Sequence, residues 1–370
     1  MIDPRLTKLA HLLVNYSGQI KKGDKVFLNG TPETEPLFKE VYAQILLAGG
    51  HPLPLLGFSD LEEIIYRHGD EEQLTFIHPP TRLAVETYDA SISISGTLNT
   101  KNLSAVDPAR IVQRTQARGE ILDIFLKRAA QGKLRWVGTL FPTPAYAQDA
   151  EMSLRDFEDF VFSACMPDLN DPVGFWKRLS EQQERIISWL RGKRHVRITG
   201  PETDLELDIT DRIFINCDGH HNMPDGEIFT GPVETSAHGI VRFSYPAIYQ
   251  GREFTGVRLR FQEGKVVEAR ADKNEDFLNK ILDSDEGARF AGEFAIGTNT
   301  GIQRFTRQIL FDEKIAGSFH LALGAGYPET GSINKSALHW DMICDLRAGG
   351  EIRVDGALLY KDGQFVPDLA

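Results

Sequence analysis

The sequence predicts an α/β protein in two parts. The N-terminal half, residues 1–190, reads as alternating helices and strands on a largely parallel sheet; the C-terminal half, residues 191–370, reads as an α+β domain with mainly antiparallel strands. Three observations lead there. Up to about residue 190, short apolar runs alternate with longer stretches whose apolar residues recur at helical spacing, the mark of βαβ units with right-handed crossovers. From about Lys193 the period drops to two, as in Leu205-Glu206-Leu207-Asp208-Ile209. A chain of 370 residues also exceeds what one hydrophobic core encloses. No low-complexity linker marks the junction, so only the change of period places it.

Taken in order, Asp3-Pro4 supplies an N-cap and a first-turn proline for a helix whose face carries Leu6, Leu9, Leu13 and Tyr16. Lys25–Asn29 is a buried strand and Glu35–Ala48 a helix stopped by Gly49-Gly50. His51–Leu56 is the next strand, and Ser59 with Glu62 spells a capping box for another helix. Ala90–Ser95, a helix opened by Asp107-Pro108 and running through Lys127, and Leu134–Thr139 continue the alternation. Helices opened by Ser153 and by Asp171-Pro172, the latter running to Leu190, close this half. In the second half His195–Ile198 and Leu205–Ile209 are strands, Val257–Phe261 pairs with Val266–Ala271, and Glu275–Leu282 is a helix. Ile352–Tyr360 and Gln364–Val366 flank a turn at Lys361-Asp362-Gly363.

Composition narrows the partners. A net charge of -12 and a pI near 5.4 argue against nucleic acid or an anionic membrane, since either needs a basic face. Cys165, Cys217 and Cys344 are scattered and odd in number, which points away from a disulfide framework. The start MIDPRLTKLAHLL lacks a signal-peptide pattern, and no run of about 18 apolar residues could span a bilayer. A reducing cytoplasm is the expected compartment.

The chemistry concentrates in the C-terminal half. Gly317–Arg347 holds His320, Tyr327, His339 and Asp341 in an otherwise apolar, glycine-rich stretch. On a strand, His339 and Asp341 share a face, so the pair can present two ligands to an ion. Glu293, in GARFAGEFAIGTN, is a carboxylate among small and apolar residues, expensive there unless paired or on a metal. Glu227 follows the turn Pro224-Asp225-Gly226 and alone reads as a solvated strand-end carboxylate. His320 alone reads equally well as a satisfied core histidine. Imidazole and carboxylate together are the usual ligands of divalent Zn, Co or Mn.

Other features carry less. Gly324-Ala325-Gly326 lacks the third glycine of a dinucleotide loop, since residue 329 is Glu. Asn29-Gly30-Thr31 lacks the phosphate-loop lysine, and His220-His221 reads as a solvated loop pair or as part of a site entrance. Neither Asp225 nor Glu234 is assigned as a proton shuttle.

GEIFTGP, AGEFAIGTN, GSFHLALGAGY and HWDMICDL, in that order, together with the opening RLTKLAHLLVNYSGQIKKGDKVFLNG, resemble the M29 family of metallo-aminopeptidases, the aminopeptidase T and aminopeptidase S type. The resemblance covers essentially the whole chain. It implies metal ligands at Glu227, Glu293, His320, His339 and Asp341 and an active-site tyrosine at Tyr327, with the expected residue type at each position. It further implies two adjacent divalent ions (Zn, Co, Mn or Mg) with Glu293 shared between them, peptide substrates with a free N-terminus, and a homodimer. Two rival expectations use the same residues: a phosphoesterase built on the ion pair, and a small-molecule-binding α/β protein with structural metals.

Overall fold

The computed structural model describes residues 3–369. They form two compact units, one running to Val173 and taking in Gly219–Pro224, the other comprising Gly174–Asp218 and Asp225 onward. The helix Pro172–Leu190 therefore lies almost wholly in the second unit. The period change at Lys193 marks that unit's first strand, because the helix before it keeps the spacing of the preceding half.

In the first unit, β1 (Lys25–Gly30), β2 (His51–Leu56), β3 (Ala90–Ser95) and β4 (Arg135–Leu140) lie parallel in the order 2-1-3-4. Val26 and Leu28 of β1 and Ile92 of β3 are fully buried, as parallel strands covered on both faces require. Asp3 caps the first helix by accepting from the Arg5 N–H at 2.9 Å, and Ser153 caps Leu154–Cys165 by accepting from the Asp156 N–H at 3.1 Å. The capping box at Ser59 does not form. The helix Asp60–His68 is present, but Ser59 has helical dihedrals, and an N-cap needs extended ones. Among the described residues no helix is long and apolar enough to cross a membrane, and all three cysteines are free.

The strands of the second unit begin with β5 (His195–Gly200), β6 (Thr203–Asp208) and β7 (Ile215–Cys217); β8 (Asn222–Met223) belongs to the first unit, where it adds a parallel strand beside β4. Then follow β9 (Glu227–Thr230), β10 (His238–Arg242), a ribbon of β11 (Ala247–Tyr249) and β12 (Arg252–Phe254), β13 (Arg258–Gln262) and β14 (Lys265–Arg270). After the helix Glu275–Leu282 come β15 (Ala291–Gly297), β16 (Ser318–Gly324), β17 (His339–Asp345), β18 (Glu351–Val354), β19 (Ala357–Lys361) and β20 (Gln364–Phe365). The run expected as one strand over Ile352–Tyr360 is two, broken by a turn at Asp355-Gly356 where both residues have positive φ, 51° and 80°. Asp-Gly is well suited to that conformation, and the turn folds β18 back on β19.

An eight-stranded antiparallel sheet, β14-β13-β10-β6-β5-β18-β19-β20, and a five-stranded one, β17-β16-β15-β9-β7, share one core in this unit. Phe294, Ile296, Phe319, Leu321, Trp340 and Met342 send alternate side chains of the smaller sheet into that core. The other face of the same strands is left for polar work.

Parity along β15 depends on a bulge. Ala291 is a core residue opposite Leu323, yet Glu293, two residues on, opposes Ala322 on the other face, because the register shifts between them. Gly292 absorbs the shift. A Cβ there would sit 2.3 Å from the Ala325 carbonyl oxygen and 2.4 Å from that of Gly324. Gly292→Ala should therefore destabilise the protein by about 1–3 kcal/mol in denaturant unfolding and misplace Glu293.

Candidate metal centre

Three neighbouring strands and a short one place the five candidate ligands on one face. Glu293 of β15 and Asp341 of β17 both oppose Ala322 of β16, His339 opposes Gly324, and Glu227 opposes Gly297. His320 lies two residues before Ala322 and opposes Ala295 and Ile343. Since same-face positions recur every second residue, all five side chains rise together. The small residues between them, Ala295, Ala322, Gly297 and Gly324, leave the space above the sheet open.

His320 Nε2 lies 3.2 Å from Glu293 Oε1, 3.6 Å from Glu227 Oε2 and 3.8 Å from Asp341 Oδ1. His339 Nε2 lies 3.4 Å from Glu293 Oε2 and 3.6 Å from Asp341 Oδ1. Both rings are oriented from behind: His320 Nδ1 is 3.0 Å from the Glu313 carbonyl and His339 Nδ1 is 2.8 Å from the Ala325 carbonyl. A carbonyl only accepts, so each Nδ1 carries the proton and each Nε2 can offer its lone pair to a cation. Two triads, Glu227–Glu293–His320 and Glu293–His339–Asp341, each bring their ligand atoms within 4.8 Å of one another and share Glu293. Glu227 Oε2 is buried with no hydrogen-bond partner, an acceptor that a cation would satisfy. The donor set fits divalent ions.

Without a cation, protons take that place. Burial would push the His320 and His339 pKa values down, but the Glu293 carboxylate hydrogen-bonded to both, with Glu227 and Asp341 nearby, carries them up to about 10 and about 9. Burial would raise Glu293, and the two histidines instead hold it down to about 2. Burial wins at Glu227, pushed up to about 8, and at Asp341, pushed up to about 6. Both imidazoles are thus protonated in the metal-free protein at neutral pH, and a cation must displace those protons. Glu227, pushed up to about 8, is also largely protonated near pH 7.5, so metal titration there should release between about two and three protons per chain, and affinity should climb as pH rises toward 10. Calorimetry in two buffers of different ionisation enthalpy measures the release.

The structure adds residues that the sequence did not suggest. Lys314 is fully buried, its ammonium 3.4 Å from Glu227 Oε1, 3.9 Å from Asp225 Oδ1 and in contact with the Glu313 carboxylate. Glu313 also forms a third triad with His320 and Asp341. In sequence, Phe311-Asp312-Glu313-Lys314 looks like a solvated charged turn; only the apolar Ile315-Ala316 after it hints otherwise. Glu234 is fully occupied elsewhere, accepting from Arg212, Ser332 and the Ile333 N–H.

Tyr327 follows β16, its ring 5.1 Å from that of His339 in an edge-on arrangement and 5.2 Å from that of Phe229. Tyr327 as a whole is 40% exposed, but partial desolvation of its phenol beside the Glu293 and Asp341 carboxylates raises its pKa, so the phenol stays neutral and can donate. Beside His339 and Asp341 opens a cavity of about 260 Å³, lined by Ile248, Tyr249, Phe305, Ile309, Trp340 and Ile343 with a few polar side chains. The Trp340 indole N–H is buried without an acceptor. His220 and His221 pack on Tyr16 and Trp136 inside the first unit, with ring separations of 4.6 and 4.7 Å.

Comparison with known proteins gives a consistent set. Residues 2–365 match the family model described as thermophilic metalloprotease (M29). The chain is 28% identical to aminopeptidase 2 of Geobacillus stearothermophilus, over 99% of this chain and 96% of that one. It is 26% identical to aminopeptidase T of Thermus thermophilus, over 98% and 96%. The solved structure of wild-type AmpT from Thermus thermophilus shares the fold, with a TM-score of 0.86 at 24% identity over 99% of this chain and all of that one.

Proposed function

As the chain belongs to the M29 family of thermophilic metalloproteases, we propose that it is a metal-dependent aminopeptidase that releases N-terminal residues from peptides at a two-ion site. The observation that carries this reading is the pair of triads sharing Glu293 on one sheet face. Glu227 and His320 would hold one ion, His339 and Asp341 the other, and Glu293 both. Divalent ions held there, whether Zn, Co, Mn or Mg, would acidify a water, polarise the scissile carbonyl and leave a position for a free α-amine.

The chain's own residues do the rest. The Glu313 and Ala325 carbonyls fix the two rings, so the ligand geometry exists before substrate arrives. Tyr327, neutral and beside His339, donates its O–H to the oxygen that gains charge when the carbonyl becomes tetrahedral. The cavity next to His339 and Asp341 takes the substrate's terminal side chain, and its aliphatic and aromatic walls favour bulky apolar residues. Exposed leucines and aromatics on the first unit, among them Leu47, Leu55, Phe58 and Leu61, support a homodimer. The acidic composition and free cysteines suit a cytoplasmic protein acting on peptides.

A panel of aminoacyl-p-nitroanilides tests the reading. Leucyl and phenylalanyl substrates should exceed the glycyl one by roughly 10–200-fold in kcat/KM, and N-acetylated forms should be inert. Turnover of aryl phosphates with none of free-amino substrates would point instead to a phosphoesterase.

A further inference from the structure

We propose that Gln183 is a positioning residue of the metal centre: its buried amide fixes the backbone of Glu227 and so holds that carboxylate in place for the ion it would share with Glu293 and His320. The inference rests on the two-ion reading above. The helix Pro172–Leu190 buries Trp176, Leu179, Ile186, Ile187 and Leu190 at helical spacing, and Gln183 stands in the middle of that stripe, fully buried. A leucine or methionine would fill such a position by packing alone. An amide there is costly unless it is hydrogen-bonded, and Gln183 is satisfied at one end only, since its Oε1 is buried with no partner. The nitrogen end is where the side chain is used.

Gln183 Nε2 donates to the Glu227 carbonyl at 2.9 Å, to the Thr298 hydroxyl oxygen at 2.9 Å and to the Cys217 carbonyl at 3.2 Å. Two of these acceptors are carbonyls, which only accept, so the NH₂ and not the oxygen must face them. They lie on β9, just past β15 and on β7, the three strands in which Glu227 has Gly297 and Cys217 as its cross-strand partners. β9 is four residues long and leaves directly from the turn Pro224-Asp225-Gly226, so Glu227 is its first residue, where a strand is least restrained by its ladder. The turn is tied down separately: the Gly226 carbonyl accepts from the Thr298 N–H at 2.8 Å and the Asp225 carbonyl from Asn299 Nδ2 at 2.8 Å. Gln183 acts one residue on, at the ligand's own peptide. Fixing that peptide fixes the Cα from which the carboxylate reaches the triad, with Oε2 3.6 Å from His320 Nε2 and without a hydrogen-bond partner. Metal sites need their ligands held to within about 0.5 Å, and the groups behind the ligands set that precision.

The test is calorimetric Co(II) titration of the full chain after stripping with chelator. Glu227→Gln identifies the binding step that depends on Glu227. Gln183→Met, apolar and similar in length, should weaken that same step about 10–100-fold and leave the other within about threefold of the unmodified protein. Added to Glu227→Gln, it should shift neither step further by more than about threefold, because the amide acts only through Glu227. A glutamine that serves the fold alone gives a different pattern: urea unfolding of the metal-free chain becomes easier while the two Co(II) steps stay put or fall together, and either result overturns the proposal. A further loss in the double variant overturns it as well. If Gln183→Met does not fold, as judged by circular dichroism, Gln183→Asn carries the test, since its amide is one methylene short of the Glu227 carbonyl. It should lose affinity at the Glu227 step alone, and two unshifted steps refute the proposal. Fewer than two Co(II) per unmodified chain overturns the two-ion reading; two ions with unshifted variants overturns only the role of Gln183.

Discussion

Glu293→Gln will abolish turnover, lowering kcat/KM by at least about 10³-fold, and will leave the protein unable to hold its second ion. The substitution keeps the side chain's size, so the effect is not one of packing. Glu293 faces both histidines, with Oε1 3.2 Å from His320 Nε2 and Oε2 3.4 Å from His339 Nε2, and it is the one residue common to both ligand triads. An amide offers a single acceptor oxygen and no charge, and its NH₂ would meet an Nε2 that must supply a lone pair. Metal analysis of the dialysed variant should find one ion per chain or fewer. A variant that keeps two ions and normal turnover removes Glu293 from the centre. The metal-free protein makes a second statement about this residue. Its folded-state pKa, held down to about 2, means that ionised Glu293 stabilises the fold above the unfolded carboxyl range, and that this is lost as pH falls toward 2. Glu293→Gln should flatten that acid limb in urea unfolding.

Tyr327→Phe should lower kcat by about 10²–10³-fold while KM moves little, since a donor aimed at developing charge contributes mainly in the transition state. The ring itself is held by edge-on contact with His339 and by Phe229, and phenylalanine preserves both. Metal content should stay at the parent value, which separates this variant from Glu293→Gln. Because partial desolvation and the carboxylates of Glu293 and Asp341 raise the phenol's pKa, the hydroxyl stays a donor across the neutral range. A loss confined to KM would instead make Tyr327 a substrate-binding residue.

Much of this fold is written in local periodicity, and the centre only partly so. Alternation in His339-Trp340-Asp341 and in Phe319-His320-Leu321 tells directly which residues leave the core, and the strands obey it. Glu293 breaks the pattern: counting by twos from the core residue Ala291 puts it inside, and only the bulge at Gly292 turns it out. Bulges answer to close backbone approach, here to the Gly324 and Ala325 carbonyls, which is a tertiary fact. Lys314 and Glu313 were hidden for a related reason, since a charged pair in a short turn carries no mark of burial until Gly297 and Asn299 bring the turn against β15. The turn at Asp355-Gly356 was legible but masked by apolar residues on both sides. Ser59 shows the converse, a fitting capping sequence that the backbone does not use.

The central claim is that one sheet face assembles a two-ion hydrolytic centre. The most direct test strips the purified protein with chelator, reloads it with Co, Zn or Mn, and follows bound metal and leucyl-p-nitroanilide hydrolysis in the same samples. The account predicts that turnover vanishes on stripping and returns as the second ion binds, reaching its plateau at about two ions per chain. Turnover that survives complete stripping, or a fully reloaded protein that cleaves no free-amino substrate, would contradict it.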